Sequence, residues 1–295
     1  MRCFARATRE SFWLSLWLWK AGEVKSFLEK HLSGPVARLR ERRRNGPYPS
    51  HKALIWGLAD LRNRIEAMDD RPVRAFLKTA IANMAVSRSQ IFQDAFVLHV
   101  LGAGKPGFFV DFGATDGVSL SNSYLLETAH GWRGICAEPA RNWQAALRAN
   151  RPAASIETRC VWKETGAELT FREADAKELS TIDSFADSDS QAKNRKGGEN
   201  YTVTTISLDD MLAAHNAPAP FDYLSIDTEG SEFDILQSFN IARYMPRVIT
   251  VEHNFTPRRR DIFDLLSAAG YRRVLTEVSL FDDWYLAPGV ALPEE

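Results

Sequence analysis

VDFGATDG, residues 110–117, runs an apolar stretch into a turn flanked by Gly113 and Gly117, and a helical pattern follows. Residues 107–112 predict a strand and residues 120–128 a helix. Glycine lacks a Cβ, so such a turn lets the backbone come close to another group. The spacing is G-x-x-x-G, not the dinucleotide fingerprint G-x-G-x-x-G, and no Gly-Lys-Ser/Thr follows to make a phosphate loop. Asp111 and Asp116 put carboxylates where a phosphate would otherwise meet a helix N-terminus, which is the wrong charge for a pyrophosphate. The competing reading is a tight strand-to-helix turn capped by an Asp.

Outward from this turn the alternation repeats. Residues 134–137 predict a strand and 142–149 a helix. Strands are expected over 156–161, 168–172 and 203–206, then a helix over 208–214. A strand over 221–226 leads to a helix over 232–239, and a strand over 248–252 to a helix over 259–269. Residues 271–275 and 283–286 are expected to form a terminal antiparallel pair. Strands alternating with helices imply βαβ units, hence an α/β fold with a doubly wound, mainly parallel sheet. Upstream, Leu54, Ile55, Leu58, Leu61, Ile65 and Met68 recur at helical spacing, and residues 73–84 follow Pro72 as a second helix. Residues 186–200 (ADSDSQAKNRKGGEN) are polar and aperiodic and read as a loop.

Ligands of such sheets bind beyond the C-terminal strand ends, so the residues there are the candidates. The acidic glycine turn suits a cationic ligand bearing an amine, such as the sulfonium and aminocarboxypropyl group of S-adenosylmethionine. Glu138 ends the next strand, 27 residues after Asp111, where a carboxylate accepts from both hydroxyls of a ribose. Asp227, Glu229 and Glu232 cluster where a later strand yields to a glycine turn and helix. Clustered carboxylates raise one another's pKa, which favours a general base, and they equally suit a divalent cation or an acceptor; capping is the plainer role for Glu232. Glu252 and His253 end the following strand as acid–base candidates, although successive strand residues point opposite ways.

Taken together, Ser89-Gln90, Gln93-Asp94, VDFGATDGVSLSNS, GWRGICAEP, ISLDDML, IDTEGSEFDIL and VEHN resemble the FkbM family of S-adenosylmethionine-dependent methyltransferases over residues 87–288. The resemblance implies a class I methyltransferase (Rossmann-like) fold with an antiparallel last strand, and O-methylation of a hydroxyl on a sugar, glycan or secondary metabolite. It implies that Asp111, Gly113, Ala114, Asp116 and Gly117 line the methionine end of the cofactor and that Glu138 holds the ribose. Glu252 or His253 is the first expectation for the base and Asp227 the second, with Glu229 and Glu232 toward substrate or metal and no resident metal expected. Thr115 departs from the Asn common in the family. The rival readings are an inactive binding protein on the same fold, an RNA methyltransferase and a nucleotide-linked oxidoreductase.

The 295 residues then divide into a helical extension, 1–86, and a methyltransferase domain, 87–295. Residues 1–44 hold 11 Lys+Arg against 4 Asp+Glu, a balance of +7, and the remainder balances at −8, so the net charge of −1 hides a split. No nucleic-acid partner is expected of the acidic body. In the basic head, residues 11–19 (SFWLSLWLW) are too short to span a bilayer and lack a cleavage site after them; they suit packing or a peripheral membrane contact. Cys3, Cys136 and Cys160 are too few for a disulfide framework. The expected location is the cytoplasm or the inner face of a membrane, and nothing in the sequence speaks to oligomeric state.

Overall fold

The computed structural model describes residues 51–175, 180–185 and 198–294. The expectations for residues 1–50, including 11–19, fall outside the described residues, as does most of 186–200.

Two units form. In the first, up to Met68, helix α1 covers His51–Glu66. The second begins at Asp69, so the division falls there and not at residue 86. The reason is helix α2 (Arg71–Asn83), which belongs to the body. Asp70 caps it by accepting from Val73 N at 3.0 Å, with proline in the first turn. Its Phe76 is buried edge-on to Trp284, at 5.2 Å between centroids, so this helix is core.

After helix α3 (Gln93–Leu101) comes the strand–helix alternation. It runs β1 (Phe108–Phe112), α4 (Tyr124–His130), β2 (Arg133–Ala137), α5 (Arg141–Asn150) and β3 (Ser155–Glu157). Four strands follow: β4 (Cys160–Trp162), β5 (Glu168–Glu173), β6 (Thr181–Ile182) and β7 (Glu199–Ser207). The chain closes through α6 (Leu208–Ala214), β8 (Tyr223–Ile226), α7 (Glu232–Ser238), α8 (Ile241–Tyr244), β9 (Val248–Glu252), α9 (Arg258–Ala268), β10 (Arg272–Val274) and β11 (Asp282–Leu286).

Seven strands make one sheet in the order β10-β11-β9-β8-β1-β2-β3. Strands β9, β8, β1, β2 and β3 are parallel, and β11 runs antiparallel between β9 and β10. The order reverses between β1 and β8, which places the crevice over their C-terminal ends. One face carries Val110, Phe112, Ile135, Ala137, Leu224, Ile226, Ile249 and Val251, buried with α6, α7 and α9. The alternate residues, Phe109, Asp111, Cys136, Tyr223, Ser225, Thr250 and Trp284, are buried on the other face. There Trp284 stacks on Phe96 of α3 at 4.5 Å.

The expected strand over 156–161 is in fact two. Strand β3 stays in the main sheet, whereas β4 joins a second sheet of order β4-β7-β5-β6. Glu157 drives the break: its Oε1 accepts from Thr158 N and Arg159 N, both at 2.9 Å, and takes those backbone donors out of any ladder. The helix after the glycine turn begins at Tyr124, not Leu120, because Asp116 and Ser121 hold the intervening backbone in loop form.

Candidate active site

The turn after β1 is packed against protein on both sides. Gly113 N and Ala114 N both donate to Ala137 O, at 3.1 and 3.2 Å. At Gly113, φ is +86°, and a Cβ would lie 1.8 Å from the carbonyl oxygen of Asp227. At Gly117, φ is +78°, and a Cβ would meet Arg151 Cγ at 2.6 Å and Leu147 Cδ1 at 2.7 Å. Protein packing therefore already requires both glycines, whatever the ligand.

Asp116 closes the turn from within. Its Oδ1 accepts from Val118 N at 2.9 Å and Ser119 N at 2.7 Å, and its Oδ2 from Ser119 Oγ at 2.9 Å. That is the capping geometry. Asp111 lies 3% exposed on the α3-covered face, where it accepts from Ser123 Oγ at 2.5 Å. Burial pushes its carboxyl up, opposed by Ser123 and the charge of Arg151.

Arg151 underlies this loop and is fully buried. Its guanidinium donates to Gly117 O at 3.2 Å, Ser121 Oγ at 3.1 Å, Ser123 Oγ at 3.0 Å and Glu127 Oε2 at 2.7 Å. One cation thus ties four points along residues 117–127 together. Sequence reading missed it, since a single Arg before a Pro carries no motif.

Glu138 is buried at the end of β2 with its carboxylate held on both sides. Oε2 accepts from Thr115 N at 2.9 Å and Oε1 from Ala140 N at 2.8 Å. Each oxygen keeps a further lone pair, so an oriented carboxylate is offered for a diol. Burial pushes its pKa up to about 7, against the pull of those two amides.

The carboxylates after β8 and β9 converge. Oxygens of Asp227, Glu229 and Glu252 lie within 4.8 Å of one another, a spacing that suits one divalent cation or a hydrogen-bonded hydroxyl. Glu229 has φ of +59° and accepts from Asn254 Nδ2 at 3.3 Å. Asn254 and Phe255 are also left-handed, at +43° and +57°. Non-glycine residues held there cost of order 1 kcal/mol or more and collect at functional loops. Thr181 Oγ1 donates to Thr228 O and Glu229 O at 3.3 and 3.2 Å, so the second sheet touches the carboxylate turn.

Glu232 stands apart from that trio. Its Oε1 accepts from Thr228 N, Thr228 Oγ1 and Gly230 N at 3.1, 3.0 and 2.9 Å, which clamps the turn presenting Asp227 and Glu229. Burial raises its pKa to about 7, and the charge of Glu252 adds to the shift.

His253 points to the opposite side of the sheet from Glu252. Its Nδ1 accepts from Phe255 N at 3.0 Å, which leaves the proton on Nε2, 3.8 Å from Asp283 Oδ1. Asp283 is occupied by Arg259 and Arg273. Burial lowers the imidazole to about 4. The nitrogen that could take a proton is already accepting one hydrogen bond inside the protein.

This topology, with its one reversed strand and its acidic strand ends, defines a class I methyltransferase fold. The family model for the methyltransferase FkbM domain matches residues 111–273, and the chain belongs to that family. The family carries the cofactor expected from the sequence, S-adenosylmethionine. No curated protein matches the chain. Among solved structures, the methyltransferase FkbM from Methylobacillus flagellatus KT is 16% identical, with 74% of this chain and 55% of that one covered and a TM-score of 0.43. The match spans little more than half of that protein's length. CalS11, a TDP-rhamnose 3'-O-methyltransferase of calicheamicin biosynthesis, is 11% identical over 86% of this chain and 92% of that one, with a TM-score of 0.41. The O-methyltransferase TomG from Streptomyces achromogenes, in complex with S-adenosylmethionine, is 13% identical over 73% and 90%, with a TM-score of 0.38.

Proposed function

We propose that the chain transfers a methyl group from S-adenosylmethionine to a hydroxyl of a sugar, glycan or other small molecule. The observation that carries this reading is the convergence of Asp227, Glu229 and Glu252 on the two strand ends beside the Gly113 turn. The donor set fits the cofactor: the strand ends present carboxylates, which suit a sulfonium, and Glu138 is oriented for two ribose hydroxyls. The backbone of the 113–117 turn would meet the methionine end. Asp111, Asp116 and Arg151 act through the turn, by holding its shape.

When bound, S-adenosylmethionine supplies an electrophilic methyl on a cationic sulfur. The protein's part is to place the acceptor oxygen in line with it, about 3 Å away. An alcohol loses its proton as it attacks, and a carboxylate within hydrogen-bond reach takes it. Glu252 is our first choice, being buried beside Asp227 and Glu229, and Asp227 the second. Glu229, fixed by Asn254, orients the acceptor. Thr181 joins the second sheet to this turn, so that sheet is our candidate for the element that selects the acceptor. The test is turnover of labelled S-adenosylmethionine on a panel of sugars and glycans. Label on a hydroxyl oxygen supports the reading, and label found only on nitrogen or on RNA overturns it.

A further inference from the structure

Helix α1 carries an exposed apolar stripe. Leu54, Leu58 and Leu61 recur at spacings of four and three, share one face, and are 50%, 51% and 38% exposed. Arg62 and Arg64 fall on the two flanks of that stripe, with Asp60 on the far side ion-paired to Arg64 at 2.7 Å. Ile55 lies at the edge of this stripe and Trp56 on the opposite side of the helix, at 67% and 76% exposed, while Ile65, at the end of the stripe's own face, is buried. An apolar face edged by cations is the pattern of a helix that lies in a membrane interface, with leucines in the acyl boundary and arginines at the headgroups. Among the described residues no helix is long and apolar enough to cross a membrane.

The charge of the chain before α1 selects the occupant. Residues 1–44 balance at +7 and include SFWLSLWLW, whereas the rest balances at −8. A second copy docked here would bring two basic heads together. The chain's own 11–19 stretch lies between Arg9 and Lys20 and would set cations against Arg62 and Arg64. RNA would use the charge but not the leucines. We infer that the α1 face docks on an anionic lipid surface, lying in it without spanning. This goes beyond the methyl-transfer reading and does not depend on it.

The test is co-sedimentation of the full chain with vesicles of phosphatidylcholine alone, or with about a third phosphatidylglycerol. The expected result is binding to the anionic vesicles at least tenfold tighter than to the neutral ones, weakening as salt rises. Leu54→Glu with Leu58→Glu, both at exposed positions, should reduce it at least tenfold while circular dichroism and S-adenosylmethionine affinity stay unchanged. Equal binding to both vesicles, no binding to either, or full binding by the double variant overturns the proposal. So does a wild-type dimer that the double variant turns into a monomer without vesicle binding, which would make the face an interface between copies.

Discussion

Gly113 lies so close beneath Asp227 that a Cβ would come within 1.8 Å of the Asp227 carbonyl oxygen. The glycine turn after β1 and the carboxylate turn after β8 are thus one packed object, joined also by Asp227 N donating to Phe112 O at 3.2 Å. The proposed donor and acceptor sites are therefore placed relative to each other by backbone contact.

That contact predicts a ranking. Gly113→Ala pairs an unfavourable φ with a backbone clash and should cost at least about 3 kcal/mol. Gly117→Ala meets side-chain carbons of Arg151 and Leu147, which can shift, and should cost less. Thermal unfolding of both variants checks the order, and equal melting points would contradict the packing argument.

Arg151→Met should destabilise by about 3–5 kcal/mol, because it leaves Glu127 buried without its cation. Arg151→Lys keeps the charge but not the four-point fork, and should raise the KM for S-adenosylmethionine more than the KM for the acceptor. A matched rise in both would mean that Arg151 supports the fold without shaping the turn.

Glu138 sets a pH dependence. Its folded pKa of about 7 means that the carboxyl is protonated below neutrality, where one oxygen turns from acceptor to donor. Affinity for S-adenosylmethionine should therefore fall by up to about tenfold per unit as pH drops below about 7. Calorimetry between pH 6 and 8, on the order of two units, reads this, and Glu138→Gln should flatten the profile.

Glu232 makes a stability prediction. Its pKa rises from 4.5 unfolded to about 7 folded, so between those values the native state holds a proton that the unfolded chain has released. Its contribution to stability is full below 4.5 and is lost as pH rises through about 7. Glu232→Gln keeps an acceptor for Thr228 and Gly230 without that loss. It should gain up to roughly 3 kcal/mol on wild type between acid and alkaline pH by urea unfolding, whereas Glu232→Ala should lose the turn and most methyl transfer.

The sheet was legible because parallel strands buried on both faces read as short apolar runs, and because turn glycines and strand-end acids punctuate them. Asp111, Glu138, Asp227 and Glu252 could each be placed at a strand end from sequence. What each does there could not. Asp116 and Glu232 turn inward to cap their own turns, the plainer of the readings the sequence left open for each, and His253 faces away from Glu252 because side chains alternate along β9. Arg151, Thr181 and Asn254 escaped because their work is done through contacts between residues far apart in sequence, such as Arg151 with Ser121, which no local pattern records. The second sheet was hidden for a similar reason: the two-residue interruption after β3 is set by the Glu157 side chain, not by a Gly or Pro.

The proposed base is tested most directly by comparing Glu252→Gln with His253→Gln for single-turnover methyl transfer, with S-adenosylmethionine affinity measured on each. We expect Glu252→Gln to bind the cofactor as wild type does and to lose about 10²-fold or more in rate, while His253→Gln stays within about threefold. Full activity in Glu252→Gln, or a loss confined to His253→Gln, would contradict the assignment.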